Sequence, residues 1–159
     1  MSNVLVAFFS ASGETARLAK TLADTVKGDL YEIQPGVPYS SADLNWNNQA
    51  SRSSVEMNDK TARPVIKNRV EDMTSYDVIF IGFPIWWYEA PRIIQTFLES
   101  YDLSGKTIVP FATSGGSGMG KTSDILRKSC PDAKVLSGKK MSAAASTGEI
   151  SDWIDSLNL

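Results

Sequence analysis

Histidine is absent from this chain, and with it the commonest general base at neutral pH and the commonest metal ligand. Imidazole-based hydrolytic triads and zinc sites are therefore not expected, and no metal site or catalytic side chain is assigned. Cysteine occurs once, as Cys130 before Pro131 at an expected helix end, so no internal disulfide can form and a reduced, intracellular setting fits. Charge of one sign is missing too: 16 Lys and Arg stand against 18 Asp and Glu, and a net charge of −2 leaves no basic footprint for nucleic acid or anionic lipid. Small molecules or other proteins are the expected partners. The first apolar run stops at Phe9 and no basic segment precedes it, so neither a signal peptide nor a membrane span is expected, and the protein should be cytoplasmic. Repeats, heptads and low-complexity tracts are lacking. A chain of 159 residues then suits a single domain, 1–159, with one core.

What is present alternates between short apolar runs and helical periodicity. Asn3 to Phe9 is bounded by polar residues and reads as a strand buried on both faces. Thr15, Leu18, Ala19, Leu22, Ala23 and Val26 follow helical spacing, and Gly28 is expected to stop that helix. Asp29 to Gln34 reads as a weaker strand. From Gly36 to about Arg63 the chain is polar, and its length calls for some internal helix and a role as a cover over a site. Val65 or Ile66, Val70, Met73 and Tyr76 suggest another helix. Asp77 to Pro84 is the clearest central strand, and Pro91 marks the next helix start. Lys106 to Ala112 is a strand, Lys121 to Ser129 a helix, and Ala133 to Lys139 a further strand. The last helix carries Ile150, Trp153, Ile154 and Leu157, with Ser146 and Glu149 at capping-box spacing. Such alternation implies a parallel sheet of five strands covered by helices on both faces.

Ligands in such sheets bind outside the carboxyl ends of the strands, and three loops leave those ends with unusual composition. The first, Ser10-Ala11-Ser12-Gly13-Glu14-Thr15, joins a strand to a helix and reads as a phosphate cradle. The first helical N–H groups lack intrahelical partners, the macrodipole is positive there, and Ser10, Ser12 and Thr15 add hydroxyls. Gly13 permits close approach of the backbone or a left-handed turn, and Glu14 suits the dipole. A plain helix cap on Ser12 is the competing reading. The second loop, Pro84-Ile85-Trp86-Trp87-Tyr88-Glu89-Ala90-Pro91, holds three adjacent aromatics whose directions diverge, so at least one should face a cleft. The alternative is that the Trp pair fills the core. The third loop runs from Thr113 through Ser114, Gly115, Gly116 and Ser117 to Gly118 and is expected to be flexible. An aromatic plane beside a phosphate cradle and a Gly-rich loop suits a flat heteroaromatic ligand that carries a phosphate.

On these residues the chain resembles the short-chain flavodoxin-like proteins over nearly its whole length. Ser10, Ser12, Gly13 and Thr15 match the family's Ser/Thr-x-Thr-Gly-x-Thr phosphate motif, with Ser12 in place of the usual Thr. The second and third loops resemble those flanking the flavin. The resemblance implies an α/β flavodoxin-like three-layer sandwich with strand order 2-1-3-4-5, and noncovalent FMN. Its cofactor-binding residues would be Ser10, Ser12, Gly13, Glu14, Thr15, Pro84, Ile85, Trp86, Trp87, Tyr88, Thr113, Ser114, Gly115, Gly116 and Gly118. Two departures bear on function. Many flavodoxins are strongly acidic, and members that stabilise the flavin semiquinone commonly carry a Gly in the second loop, where Tyr88 and Glu89 stand here. Entering a positive-φ state would cost those residues a Cβ clash, so a reductase-like role is expected: electrons from a reduced nicotinamide or a protein donor to a small acceptor such as a quinone. Trp87 or Tyr88 would cover the flavin and Trp46 would close over the acceptor. Whether the chain is an enzyme stays open, and the electron donor and acceptor are not readable.

Other readings compete. A one-electron carrier shares every motif, and so does a flavin-binding interaction module without activity. Gly115 to Thr122 also satisfies G-x-x-x-x-G-K-[ST], the phosphate-loop pattern of nucleotide hydrolases, between a strand and a helix. That loop normally follows the first strand, and a later strand supplies a magnesium-holding Asp; here Val135-Leu136 leads only to Ser137-Gly138-Lys139-Lys140. A phospho-accepting signalling domain would need carboxylates where Phe8, Phe9 and Phe83 stand, and is discarded.

Overall fold

A computed structural model describes residues 3–113 and 118–159. Its first strand, β1 (Val4–Phe8), is buried throughout, and the turn after it enters helix α1 (Glu14–Val26). Leu18, Ala19, Leu22 and Ala23 put one apolar stripe of α1 against the sheet. Gly28 does not end this helix by turning left-handed; Lys27 does so, at φ 56°. What requires glycine at 28 is the sheet, because a Cβ there would stand 2.9 Å from the Val4 carbonyl oxygen. Strand β2 (Asp29–Glu32) follows, shorter than its apolar pattern implied.

The remaining elements are α2 (Arg52–Asn58), β3 (Val78–Pro84), α3 (Arg92–Glu99), β4 (Thr107–Thr113), α4 (Thr122–Ser129), β5 (Lys134–Val135), β6 (Lys139–Lys140) and α5 (Thr147–Ser156). All strand pairs are parallel and the order is β2-β1-β3-β4-β5, with β6 also on β4. The architecture is the α/β, flavodoxin-like parallel sheet with helices on both faces. Strand alternation sorts the core: Val4, Val6, Phe8 and Phe80 pack with α1 and α5, whereas Leu5, Ala7, Ile79, Ile81 and Phe83 pack with α3 and α4. Each of these large side chains contributes about 1.5–3 kcal/mol by leaving water.

Two further expectations change. The stretch from Ile66 to Tyr76 is not a helix beyond a single 3₁₀ turn at Met73–Ser75. Its backbone groups find tertiary partners: Pro35 and Ile66 form an antiparallel bridge, the Lys67 N–H donates to the Gln34 carbonyl at 2.7 Å, and the Val70 N–H to the Tyr101 hydroxyl at 2.8 Å. The expected strand from Ala133 to Lys139 is split. Its halves pair with β4 at Ile108↔Val135 and Phe111↔Lys139, so residues 136–138 oppose only residues 109–110. One extra residue thus bulges where Pro110, lacking an N–H, interrupts the ladder. The last helix starts as expected, the Ser146 hydroxyl accepting from the Glu149 N–H at 3.1 Å.

Candidate functional site

The first loop leaves β1 as Phe9 donates to the Gly82 carbonyl of β3 at 2.9 Å, so its start is set by the two central strands. Gly13 then takes φ 92° at the N-cap of α1, and a Cβ built there meets open space, so conformation rather than crowding requires glycine. Ser12 does not cap the helix. Ser10 turns back to do so, its Oγ accepting from the Gly13 N–H at 3.0 Å and the Ala16 N–H at 3.2 Å. The N–H groups of Ser12, Glu14 and Thr15 have no acceptor among the described residues. Ser12 and Glu14 are exposed, so a solvent-facing set of donors sits at the positive end of α1. Thr15 is buried instead, and its hydroxyl pairs with that of Thr113 at 2.7 Å.

That contact joins the first loop to the end of β4, where the third loop begins. The second loop joins the same point: the Ile85 N–H donates to the Thr113 carbonyl at 2.9 Å, and Pro84 pairs with Thr113 in the sheet. Ile85 is itself part of the core. Trp86 and Glu89 exchange both backbone hydrogen bonds, at 2.9 and 3.0 Å, around a two-residue turn in which Trp87 has φ 49° and Tyr88 φ 64°. Such turns ordinarily use Asn and Gly, since a Cβ in the left-handed region costs about 1–2 kcal/mol per residue. Trp86 is half-buried in an aromatic group with Phe9 and Tyr39, at ring-centroid distances of 5.8 and 5.6 Å. Trp87 and Tyr88 are 43% and 61% exposed, so of the three aromatics these two are free to meet a ligand.

Arg92 carries no motif and was not singled out from the sequence, yet it is among the most buried side chains of the molecule. Its guanidinium donates to Glu89 Oε1 at 2.9 Å, to Gln95 Oε1 at 3.3 Å and to the carbonyls of Glu56, Met57 and Asp59 at 3.3, 2.7 and 3.2 Å. It therefore closes the C-terminal end of α2 and anchors the second loop at once. The polar segment from Gly36 to Arg63 is in this way bound beside the loop, with α2 as its internal helix. Arg52 stacks 3.8 Å from the Tyr39 ring centre and pairs with Glu56, which also accepts from the Tyr39 hydroxyl. Burial, reinforced by that hydrogen bond, raises the Tyr39 phenol far above its ordinary pKa. Trp46, expected to close over the acceptor, is 69% exposed. A cavity of about 270 Å³ lies alongside, lined by Phe9, Ser10, Gln34, Tyr39 and Lys67.

The phosphate-loop pattern resolves differently from its motif. Ser114, Gly115, Gly116 and Ser117 lie outside the described residues. Of the rest, Gly118 faces open space, Lys121 is exposed at the N-cap of α4, and Thr122 is buried with its hydroxyl bonded to the carbonyls of Tyr88 and Met119. At 1% exposure, the Thr122 oxygen is not presented to a nucleotide's magnesium. Among the described residues no group of Cys, Asp and Glu could hold a metal ion, and no helix is long and apolar enough to cross a membrane.

A family model described as flavodoxin matches residues 3–157. The chain belongs to the flavodoxin family. Among solved structures, a protein classed as a flavoprotein from Bacteroides eggerthii is 52% identical, with 100% of this chain and 99% of that one covered and a TM-score of 0.95. One so classed from Bacteroides uniformis is 47% identical over 97% and 98% of the two chains, with a TM-score of 0.91. The flavoprotein from Lactobacillus acidophilus crystallised in complex with FMN is 22% identical over 97% and 99%, with a TM-score of 0.72, which speaks for the shared fold. No curated protein is significantly similar in sequence. For a flavodoxin, the left-handed aromatic turn bears on one sequence argument: of Tyr88 and Glu89, Tyr88 has already met the positive-φ cost that was expected to keep this loop from turning, and Glu89 has not.

Proposed function

We propose that this flavodoxin-family chain binds FMN noncovalently, its phosphate at Ser10 to Thr15 and its ring against Trp87, Tyr88 and the Gly-rich sequence after Thr113. The observation that carries the reading is the convergence on Thr113 of three loops: one offering N–H groups at a helix N-terminus that have no acceptor among the described residues, one offering two exposed aromatics, and the Gly-rich loop that Thr113 opens. Phosphate would take the N–H groups of Ser12, Glu14 and Thr15, with the Ser12 hydroxyl as a further donor. Family membership and the FMN complex of the Lactobacillus relative support this choice of cofactor. Bound FMN would supply the redox chemistry, and the protein supplies placement and electrostatics, so no acid or base side chain is needed.

The physiological role we favour is transfer of electrons from a reduced nicotinamide or a protein donor to a small acceptor such as a quinone. The net charge of −2 supports it, because fast docking to an oppositely charged redox protein relies on a stronger field. The carrier reading draws support from the second loop, whose positive-φ turn removes the expected obstacle to one-electron chemistry. We place the protein in the cytoplasm, where its one buried thiol would stay reduced. Purification yellow with bound flavin, followed by anaerobic titration and a quinone turnover assay with reduced nicotinamide, tests both layers. Reduction in a single step with quinone turnover supports the reductase. A large one-electron-reduced population without turnover establishes the carrier.

A further inference from the structure

The G-K-T end of the phosphate-loop pattern is unused by the proposed cofactor site, but its geometry has a purpose of its own. Gly120 has φ 55°, and a Cβ built on it would stand 2.8 Å from the Tyr88 carbonyl oxygen and 3.2 Å from the Tyr88 Cβ. Only glycine lets the two backbones approach so closely. Two residues on, the Thr122 hydroxyl donates to the same Tyr88 carbonyl at 3.2 Å, sharing its proton with the Met119 carbonyl. Thr122 is 1% exposed, so its hydroxyl is held against these two carbonyls rather than turned to solvent. The grip falls on the second of two consecutive left-handed residues, in the turn that would otherwise relax most readily. The Tyr88 carbonyl belongs to the peptide that leads into Glu89, whose N–H closes the turn on Trp86.

We propose that Gly120 and Thr122 are positioning residues: they clamp the Tyr88 carbonyl, hold the Trp87-Tyr88 turn in its left-handed form, and thereby set how those two aromatics and their peptides meet the flavin. The inference rests on the FMN reading for its last step, while the clamp itself belongs to the protein without ligand. Lys121 between them stays in solvent, which accounts for the motif without any nucleotide.

Four variants of the full-length protein test this. Thr122→Val keeps shape and removes the hydroxyl, Thr122→Ser restores it, and Gly120→Ala pushes the Tyr88 carbonyl away. Asp124→Ala weakens α4 through its exposed first-turn ion pair with Arg127 and touches nothing in the second loop. In apoprotein, amide exchange at Trp86 and Glu89 should quicken about fivefold in Thr122→Val and Gly120→Ala, as expected for one lost hydrogen bond, and stay at the wild-type rate in Thr122→Ser and Asp124→Ala. In FMN-loaded protein the visible circular dichroism and the midpoint potential of the flavin should shift in the first pair and not in the second. Equal exchange in Thr122→Val and Asp124→Ala would overturn the clamp, since helix support alone would then explain it. Faster exchange with unchanged flavin spectra and potential would overturn its link to the cofactor. A wild type that takes up no FMN would instead refute the FMN reading, and the exchange data would still decide the clamp.

Discussion

Replacing Arg92 by methionine keeps a buried stem of similar length and deletes five contacts at once. Three are to backbone carbonyls at the end of α2, which lose the side chain that closes that helix, and one is to the carboxylate of Glu89. Breaking a buried ion pair from one side typically costs about 3–5 kcal/mol, because the remaining charge and acceptors are left unpaired. Glu89 is 28% exposed and recovers some hydration, so a loss near the lower end, about 3 kcal/mol, is expected. With a urea slope of about 2 kcal/mol per molar, the midpoint should fall by about 1.5 M. Lysine should not rescue it, since three donors on a point charge cannot serve five acceptors arranged around a planar guanidinium. The loss should also fall where the contacts are, as faster amide exchange and proteolysis between Ser51 and Arg63. A cost below about 1 kcal/mol, or one spread evenly over the molecule, would refute the assignment of Arg92 as the joint between the polar segment and the aromatic loop.

Ser12→Ala should weaken FMN binding at least tenfold and leave riboflavin almost unchanged by fluorescence titration, because a charge-assisted bond to phosphate contributes about 1.5–3 kcal/mol; equal losses for the two ligands would displace the phosphate from this loop. Lys121→Ala should retain full flavin content, and the wild type should show no magnesium-dependent ATP hydrolysis in a phosphate-release assay. Burial, with a smaller push from Glu99, raises the Cys130 thiol to about 11. At pH 8 it should therefore resist an aromatic disulfide reagent until the protein is unfolded, and a rapid native-state reaction would contradict its burial. A group whose folded pKa is raised stabilises fully below its ordinary value, here 9.0, so this contribution should drain away between pH 9 and about 11 in urea titrations.

Periodicity and composition alone determined the alternation of elements, the central place of Val78 to Phe83 and the helix faces of α1 and α5, because a buried parallel strand and an amphipathic helix each write their environment into consecutive residues. The hydroxyl-rich turn at Ser10 to Thr15 was legible for the same reason, its meaning being local to a helix start. Its internal roles were not. That Ser10 rather than Ser12 caps the helix, and that Thr15 faces Thr113, depends on where β4 ends, 98 residues away from Thr15.

Tertiary structure alone decided the rest. Ile66 to Tyr76 has helical spacing, but its backbone groups are taken by Gln34 and Tyr101, and such partners leave no trace in a local pattern. The fifth strand reads as one run and folds as two because Pro110 lies opposite it in β4. Arg92 looks like an ordinary first-turn arginine until α2 is packed against it, and the positive φ of Trp87 and Tyr88 runs against residue preference and is sustained by neighbours from α4. Gly120-Lys121-Thr122 spells a nucleotide motif, yet the Thr122 hydroxyl donates to a backbone carbonyl of the second loop. A sequence records which groups a residue carries, whereas which of them remain free for a ligand is settled only when distant segments have taken their share.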